Sequence, residues 1–194
     1  MIIETIKKIN HRNQVGTIIE KIKNPIVCEV GVRFGDYFDL IVTPNVFKAY
    51  GVDIWRDTGN KGQNDAFYDQ KSLDNQYCDV FKKYMDNPKV TLIREFSSKA
   101  ANFFEDEYFD FIYIDADHTY ESVKTDLDAW YPKVKKGGIL SGHDFIPTIT
   151  TIQLGHAVPF GVEQAVFEFK LRNNISEENF HLTNELYASY YIVK

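Results

Sequence analysis

Residues 109–120 read FDFIYIDADHTY, and this short stretch holds most of the information about the architecture. The first six residues, Phe109–Ile114, are mostly apolar and aromatic, as expected of a strand that is buried on both faces of a sheet. Two carboxylates and an imidazole follow at Asp115, Asp117 and His118. Such groups are costly to place at the end of a buried strand unless they are used or well satisfied. The stretch therefore predicts a buried strand that ends in a cluster of functional side chains.

Strands and helices alternate on both sides of this stretch. Apolar runs predict further strands at residues 26–30, 46–54, 90–95 and 138–141, and alternating polarity predicts an antiparallel pair at 180–183 and 187–193. Helical patterns occur at residues 4–23, 37–41, 67–86, 97–104 (with Ser97 or Ser98 as the N-cap), 120–131 and 162–171, with loops at 55–65 and 143–160. Such an alternation is typical of right-handed βαβ units. We therefore predict an α/β, Rossmann-like, doubly wound fold with a mostly parallel seven-stranded sheet and an antiparallel C-terminal strand.

Composition and charge narrow the class of protein. The chain has 194 residues, of which 44% are hydrophobic and 26% charged, and this predicts one domain over residues 1–194. The net charge of −6 and the lack of a long basic run argue against nucleic-acid binding. No apolar run approaches the ~20 residues of a membrane span, and Cys28 and Cys78 lack zinc-binding spacing. We expect a cytoplasmic protein without a nucleic-acid or membrane partner.

In parallel sheets ligands bind at the carboxyl ends of the strands, so the polar residues at those ends carry the functional argument. Residues 29–35 (EVGVRFG) follow the first predicted strand, and their glycines allow a tight turn close to a ligand. The turn has neither the Gly-Lys-Ser/Thr of a phosphate-binding loop nor the GxGxxG spacing of a dinucleotide-binding loop. It is consistent either with a cofactor loop or with a turn that binds nothing.

Asp53 ends the second predicted strand, roughly 20 residues beyond the glycine turn. A carboxylate at this place can accept hydrogen bonds from both hydroxyls of a ribose. The alternative is a structural role, in which Asp53 closes an Asx-turn with its own backbone.

The fifth predicted strand adds a second polar cluster beside the first. It ends in residues 137–144 (GGILSGHD), which include His143 and Asp144. Strands joined by one helix are usually neighbours, so Asp144 is expected near Asp115. Convergent carboxylates with a histidine form a divalent-metal site or an acid–base site. Asp117 has a structural alternative, the N-cap of the next helix.

The order of these motifs resembles that of one enzyme family. The motifs are EVGxxxG at 29–35, the aspartate that ends strand two, YIDADHTYESVKTDLDAW at 113–130, KKGGILSGHDF at 135–145 and YYIVK at 190–194. Together they resemble the class I S-adenosylmethionine-dependent methyltransferases over residues 24–194. Within that class they are similar to the small O-methyltransferase branch that includes macrocin O-methyltransferase and the cephalosporin-hydroxylase-like proteins.

The resemblance implies a set of cofactor-binding residues. Glu29, Gly31 and Gly35 would border the methionine part of S-adenosylmethionine, and Asp53 would hold its ribose hydroxyls. Ser97 or Ser98 would lie near the adenine, and Asp115 would also lie beside the cofactor. Independently of the resemblance, the aromatic residues of 55–86 form either the packed face of an amphipathic helix or a lid over the acceptor with Trp55 beside the cofactor.

The resemblance also implies metal-binding and catalytic residues. Asp115 and Asp144 match positions that bind a divalent cation, Mg²⁺ or Mn²⁺, with His143 as a third candidate ligand, and Asp117 or His118 would be the general base. Paired-acid members of the branch carry a carboxylate where this sequence has His143. An imidazole there shifts the preference from magnesium toward softer ions. Arg33 stands where many methyltransferases have a further glycine.

The predicted function is methyl transfer to a hydroxyl of a small molecule or sugar. The acceptor oxygen would attack the methyl group of S-adenosylmethionine in line with the departing sulfur. An alcohol is a weak nucleophile near pH 7, and general-base help is worth about 10²–10⁴ in rate. The N-terminal helical segment 1–24 and residues 55–86 and 145–160 lie outside the cofactor motifs, and we expect them to cover the acceptor. A metal-dependent hydrolase or lyase and a non-catalytic cofactor-binding module are the alternatives. The oligomeric state stays open, with a homodimer among the alternatives.

Overall fold

The computed structural model describes residues 2–59 and 69–194. Within these ranges the strands are β1 Ile26–Val30, β2 Lys48–Asp53, β3 Val90–Arg94, β4 Phe109–Ile114, β5 Val134–Phe145, β6 Phe180–Leu182 and β7 Ala188–Val193. They form one sheet in the order β3-β2-β1-β4-β5-β7-β6.

Strands β1 to β5 pair in parallel, whereas β7 pairs antiparallel with both β5 and β6. Val27 of β1 lies opposite Ala49 of β2 on one side and opposite Phe111 of β4 on the other. The strand order therefore reverses between β1 and β4, and the carboxyl ends of these strands flank the crevice in which such sheets bind ligands. The predicted α/β fold, with its mostly parallel seven-stranded sheet and antiparallel C-terminal strand, is confirmed.

Helices cover both faces of the sheet. In the described ranges they are α1 Ile2–Ile6, α2 Gly16–Ile19, α3 Asp36–Ile41, α4 Gln70–Tyr84, α5 Ser97–Ala100, α6 Tyr120–Trp130, α7 Thr148–Gln153 and α8 Val162–Arg172. Three-residue 3₁₀ turns occur at Arg12–Gln14, Ala101–Phe103, Tyr131–Lys133 and Glu177–Asn179. Each of these helices is too short or too polar to cross a membrane.

Among the described residues the core forms two apolar clusters, one on each face of the sheet. Successive side chains of a strand point to opposite faces. In β1, Cys28 and Val30 join a cluster with α6 and α8, whereas Val27 joins a second cluster with α1 to α4. Trp130 is buried in the first cluster and Trp55 in the second. Burial on both faces explains why the central strands are short continuous apolar runs in the sequence.

Helix α7 corrects the prediction of a loop over residues 143–160. Thr148–Gln153 is helical, and it buries Thr151 while exposing both of its isoleucines. The Thr151 hydroxyl accepts a hydrogen bond from the backbone N–H of Phe160 at 3.1 Å, which ties the helix to the following chain. Because the buried position is polar and the apolar positions are exposed, hydrophobic periodicity carried no helical signal.

Other elements differ from the prediction mainly at their ends. The predicted N-terminal helices over 4–23 are two short helices with a 3₁₀ turn between them, and β5 is much longer than the predicted 138–141. Helix α4 begins at Gln70 because the Asp69 carboxylate accepts the Ser72 N–H as an N-cap at 2.8 Å. Residues 60–65 of the predicted loop and residues 67 and 68 of the predicted helix lie outside the described residues.

Candidate active site

A cleft of about 860 Å³ opens at the carboxyl ends of β1, β2, β3 and β4. Its size falls in the range of small-molecule sites, roughly 300–1,000 Å³. The predicted site residues that line it are Glu29, Gly31, Asp53, Trp55, Ser97, Ser98, Asp115, Asp117 and His118. Gly35, His143 and Asp144 do not line it. Most of the predicted strand-end residues therefore share one cleft, as expected if ligands bind at the ends of the strands.

Gly31 turns the chain after β1 at a point where the backbone has no room for a side chain. Its φ is 97°, and a Cβ atom there would lie 2.0 Å from the carbonyl oxygen of Asp115. The Gly31 N–H donates to Val52 O, and the Asp115 N–H donates to Val30 O. These bonds join the ends of β1, β2 and β4, so the turn fixes the floor of the cleft.

Gly35 acts through its backbone. It has a left-handed φ of 81° and is the N-cap of α3, and its N–H donates to Val32 O. A Cβ atom at Gly35 would contact Val80 of α4. The structure therefore places Gly35 under the turn rather than against the cleft.

Asp53 ends β2, and its carboxylate binds the loop that follows β1 and the loop that follows β2. Its Oδ2 accepts the Arg33 N–H and its Oδ1 accepts the Trp55 N–H, each at 2.8 Å. The bond to Trp55 is the predicted Asx-type contact, so the structural role is present. A carboxylate oxygen can accept more than one hydrogen bond, and the structural role is therefore compatible with the ribose role.

Trp55 supports these loops from beneath. Its side chain is 1% exposed, and its Nε1 donates to Arg33 O at 2.9 Å. Its ring packs against Tyr77 of α4 with the centroids 5.1 Å apart. Trp55 is thus a buried part of the cleft wall.

Glu29 is a buried carboxyl group in the same wall. It is 2% exposed, and its Oε2 has no hydrogen-bond partner among residues 2–59 and 69–194. Burial, and then the charge of Asp115, raise the pKa of Glu29 well above its usual value. A buried polar atom without a partner is costly, and native proteins rarely leave one unless water or a ligand supplies the contact. Glu29 is therefore suited to a cationic group of a ligand.

Ser97 is held by two side chains of α6. Its hydroxyl donates to Asp126 Oδ1 at 2.5 Å and accepts a hydrogen bond from Trp130 Nε1 at 2.9 Å. The prediction that Ser97 or Ser98 is the N-cap of α5 is wrong: the N-cap is Phe96, because the Ser97 hydroxyl bonds to α6 instead. Burial raises the pKa of Asp126 to about 7, although its bond with Ser97 opposes the shift. Asp126 also lines the cleft, and the sequence motifs did not single it out.

Asp115, His118 and Asp144 form a tight polar cluster at the ends of β4 and β5. His118 Nε2 lies 3.3 Å from Asp115 Oδ1 and 2.9 Å from Asp144 Oδ2. Burial disfavours the charged imidazole, but the hydrogen bonds to the two aspartates outweigh burial and raise the pKa of His118 to about 10. One ligand atom from each residue lies within 4.8 Å of the other two. This donor set of two carboxylates and an imidazole fits a divalent cation.

His143 lies at the edge of this cluster. Its Nδ1 is 3.3 Å from Asp144 Oδ2 and 3.8 Å from Asp115 Oδ2. Burial raises the pKa of Asp144, but hydrogen bonds from His118 and His143 outweigh burial and lower the pKa below its usual value. The structure thus brings His118, predicted as a base, into the ligand group, and leaves His143, predicted as a ligand, beside Asp144.

Asp117 closes the turn that leads into α6. Its Oδ1 accepts the Thr119 N–H at 2.7 Å, and Thr119 is the N-cap of the helix. The prediction that Asp117 could be the N-cap of the helix is therefore wrong, because Thr119 takes that position, although Asp117 does have a structural role in an Asx-turn. The Asp117 side chain also lines the cleft, next to His118.

Arg12 also lines the cleft, and no predicted motif contains it. Its Nη2 donates to Asp115 Oδ2 at 3.2 Å, across 103 positions of sequence. The residues around Arg12 form only short helices and a turn. No local pattern there points to a functional residue.

The sequence matches the family model of a methyltransferase domain over residues 28–145. The chain belongs to this family. This methyltransferase shares its fold with a candidate rRNA methylase from Clostridium thermocellum, at 15% identity and a TM-score of 0.62, over 95% of this chain and 97% of the other. A candidate caffeoyl-CoA O-methyltransferase from Staphylococcus aureus has 14% identity and a TM-score of 0.60, over 99% and 88%.

A candidate methyltransferase from Streptococcus mutans, in complex with S-adenosylhomocysteine (SAH), has 12% identity and a TM-score of 0.59, over 92% and 94% of the two chains. At these identities the likeness shows the fold and not the acceptor. No curated protein matches the sequence.

The family makes this protein an S-adenosylmethionine-dependent methyltransferase, and the cleft fits that cofactor. Glu29 has a buried oxygen without a partner, which suits an ammonium group. Gly31 lets the Asp115 backbone lie against the turn that lines the cleft, and Asp53 ends β2 where a ribose is expected. The narrower resemblance to the small O-methyltransferase branch stays a prediction.

Proposed function

We propose that this methyltransferase transfers a methyl group to a hydroxyl oxygen of a small molecule or sugar, with a divalent cation held by Asp115, His118 and Asp144. The observation that carries the proposal is this cluster, because two of its three members also line the cofactor cleft. Metal ligands and cofactor residues thus border one space in which an acceptor could meet the methyl group.

The cluster favours oxygen over nitrogen as the acceptor atom. S-adenosylmethionine supplies an electrophilic methyl group, and a bound cation supplies a Lewis acid that lowers the pKa of an acceptor hydroxyl. A neutral amine is already nucleophilic, whereas an alcohol near pH 7 needs such help. A cation site beside the cofactor cleft is therefore more useful for O-methylation than for N-methylation.

The donor set favours Mn²⁺ over Mg²⁺. Magnesium prefers oxygen ligands and keeps several waters, whereas an imidazole suits the later divalent ions. Asp115 and Asp144 supply carboxylate oxygens, and His118 supplies the nitrogen. We expect Mn²⁺ to bind more tightly than Mg²⁺.

We assign the general-base role to Asp117. His118 Nε2 is the atom that faces both aspartates, so it is not available to the acceptor when the three residues share a cation. Asp117 lies in the cleft wall one residue away, and its Oδ1 is fixed by the Thr119 N–H. A carboxylate in that position would accept the hydroxyl proton, with a contribution of about 10²–10⁴ in rate.

Two segments are suited to cover a small acceptor, as the sequence predicts for 55–86 and 145–160. Helix α4 contributes Leu73 and Gln76 to the cleft wall, and the chain after α7 contributes Val158 and Phe160. The Phe160 ring lies 4.6 Å from the His118 ring, centroid to centroid. An apolar ring next to the polar cluster suits a phenol or a sugar ring, and the net charge of −6 does not suit a nucleic acid or an anionic membrane.

The test is methyl transfer to a panel of phenols, catechols and sugar hydroxyls, with Mn²⁺, Mg²⁺ or a chelator present. We expect an O-methylated product, identified by mass spectrometry, and loss of turnover in the chelator. Asp117→Asn should keep SAH and metal affinity but lower kcat by about 10² or more. His118→Gln should lose the metal.

Three results would contradict the proposal. The first is turnover that the chelator does not change. The second is an N-methylated product. The third is metal binding without any binding of SAH in calorimetry, which is the result that the hydrolase or lyase alternative predicts.

A further inference from the structure

Arg12 enters the cleft from a part of the chain that contains no strand-end motif. It opens the turn Arg12–Gln14 and lines the cleft. Its guanidinium carbon lies 4.6 Å from the ring centroid of Tyr37 and 5.5 Å from that of Tyr113. Only 21% of the side chain is exposed. A cation held against two rings and largely removed from water is costly unless it has anionic partners.

The backbone around Arg12 is fixed by side chains from both ends of the sequence. The Arg12 N–H donates to Glu185 Oε1 at 2.6 Å, and His11 Nε2 lies 3.1 Å from the other oxygen of the same carboxylate. Gln14 Oε1 accepts the N–H groups of Asn10 and His11. Because the backbone at Arg12 is fixed in this way, the Arg12 side chain has less freedom to lose when a ligand binds. Such preorganisation lowers the entropic cost of the contact.

The guanidinium of Arg12 lines the cleft and retains donor capacity. Within the described ranges its hydrogen bond goes from Nη2 to Asp115 Oδ2, while Asp115 Oδ1 faces His118. A guanidinium has five N–H donors in a planar fork, which matches a carboxylate in a bidentate pair. One donor is therefore enough to hold Arg12 against Asp115, and others can bind an anionic group of a ligand.

The strand order indicates which part of the cofactor would lie near Arg12. Ser97 follows β3 and Asp53 ends β2, so the adenine and the ribose are assigned to that side of the cleft. Strands β1 and β4 come next in the sheet, and they carry Glu29 and Asp115. Because the adenine and the ribose are assigned to the β2–β3 side, the amino-acid end of the nucleoside, with its α-ammonium and α-carboxylate, is expected on the β1–β4 side.

We propose that Arg12 binds the α-carboxylate of the cofactor's amino-acid end, while Glu29 takes the α-ammonium group. The proposal rests on the cofactor assignment made above. Arg12 offers a cation and Glu29 a carboxyl group on the β1–β4 side of the cleft, and together they match the two charged groups of an amino-acid zwitterion. The enzyme therefore selects the nucleoside that carries the intact amino acid against its decarboxylated analogue.

The experiment compares two ligands on four proteins by calorimetry. The ligands are SAH and decarboxylated SAH, and the proteins are the wild type, Arg12→Gln, Arg12→Lys and Lys7→Gln. Lys7 is a matched control because it is a half-exposed cation of the same N-terminal segment, paired with Glu4 at 3.7 Å. The ratio of the two affinities is used because partial unfolding of a variant would lower both affinities equally.

We expect the wild type to bind SAH at least about tenfold more tightly than the decarboxylated analogue, as for the loss of one charged hydrogen-bonded contact. Arg12→Gln should remove this preference by weakening SAH binding alone. Arg12→Lys should restore part of it, because the charge remains but the bidentate fork is lost. Lys7→Gln should behave as the wild type.

Different results overturn different parts of the argument. Equal losses for both ligands in Arg12→Gln would give Arg12 a structural role only. Unchanged affinities with a raised KM for an anionic acceptor would assign Arg12 to the acceptor. If the wild type bound the decarboxylated analogue as tightly as SAH, the selectivity itself would be absent. Failure of the wild type to bind either nucleoside would instead refute the cofactor assignment.

Discussion

His118 Nε2 lies 2.9 Å from Asp144 Oδ2, and this contact joins the loop after β4 to the end of β5. Asp115 Oδ1 lies on the other side of the same nitrogen, at 3.3 Å. Because one nitrogen serves two carboxylates from two strands, a cation that replaced its proton would bind all three residues. The contact therefore defines the expected metal ligands.

The first prediction concerns these ligands. Asp144→Asn and His118→Gln should each weaken Mn²⁺ binding by more than about tenfold, since even indirect partners of metal ligands are worth 10–100-fold. His143→Gln is the matched control, because His143 Nδ1 lies at the edge of the cluster. This variant should lose less Mn²⁺ affinity than the other two. Electron paramagnetic resonance of free Mn²⁺ measures the affinities. Unchanged stoichiometry in Asp144→Asn would remove this residue from the site.

The second prediction concerns Asp53. Asp53→Asn should weaken SAH binding by about tenfold or more, because a hydrogen bond to a charged group is worth about 1.5–3 kcal/mol. Asp53→Ala should also lower the melting temperature, since Arg33 and Trp55 both lose the acceptor of a backbone N–H. Calorimetry and thermal unfolding separate the two effects. An unchanged SAH affinity in both variants would exclude Asp53 from the ribose site.

The third prediction is proton release when the nucleoside binds. The pKa of Glu29 is raised well above its usual value by burial, so the group retains its proton in the free protein at pH values where a carboxyl is usually ionised. An α-ammonium next to it favours the charged form and lowers that pKa. Binding should therefore release a proton, and SAH affinity should rise with pH in that window. Calorimetry in buffers of different ionisation enthalpy counts the proton.

Glu29→Gln is the control for this measurement. It keeps the shape of the side chain but cannot ionise, so the release should disappear. Proton uptake by the wild type, or equal release by the variant, would contradict the assignment of Glu29.

The fourth prediction concerns stability and Asp126. Its pKa is raised from 3.8 to about 7, so the folded protein keeps a proton that the unfolded chain releases. The stabilisation is complete below about pH 4 and is lost as the pH rises to about 7, by on the order of 4 kcal/mol. The unfolding free energy of the wild type, relative to that of Asp126→Asn, should therefore fall across this window as the pH rises. Above the window the difference should level off.

Urea unfolding at several pH values provides this difference. Asp128→Asn is the matched control, because Asp128 lies on the same helix but is about half exposed and paired with Arg172. Its difference from the wild type should vary much less over the same range. A flat curve for Asp126→Asn would show that Asp126 is ionised when buried.

The fifth prediction concerns Gly31. Gly31→Ala should destabilise the protein by more than about 3 kcal/mol, because left-handed strain of about 1–2 kcal/mol adds to the clash with the Asp115 backbone. Gly137→Ala is the control: its φ is 76°, but no atom of residues 2–59 or 69–194 lies within 4 Å of an added Cβ. It should cost only the strain. Similar unfolding free energies for the two variants would contradict a close approach at Gly31.

The strands could be predicted because their signal is local. A central strand such as β4 is buried on both faces, so it is a short apolar run wherever it lies in the chain. Helix α7 could not be predicted in this way, because its buried residue is Thr151 and its isoleucines face solvent. Its stability depends on hydrogen bonds to the following chain, which periodicity does not record.

The positions of the site residues could be predicted better than their partners. The strand-end rule brought Asp115 and Asp144 together, but it could not distinguish His118 from His143 as the third member. The pairing of β5 with β7 shifts register between Gly142 and Phe145. Asp144 lies within this irregularity and has a left-handed φ of 57°, which no pattern in the sequence predicts.

The amino-acid sequence alone was sufficient for the α/β class, the parallel sheet and the acidic strand ends, because each depends on neighbouring residues and on one general rule of sheet topology. Only the tertiary structure leaves Glu29 Oε2 without a hydrogen-bond partner among the described residues, brings His118 together with Asp115 and Asp144, and places Arg12 against Asp115. These features arise from packing and hydrogen bonds between segments far apart in the chain. Their energies depend on orientation and burial, which a sequence pattern does not contain.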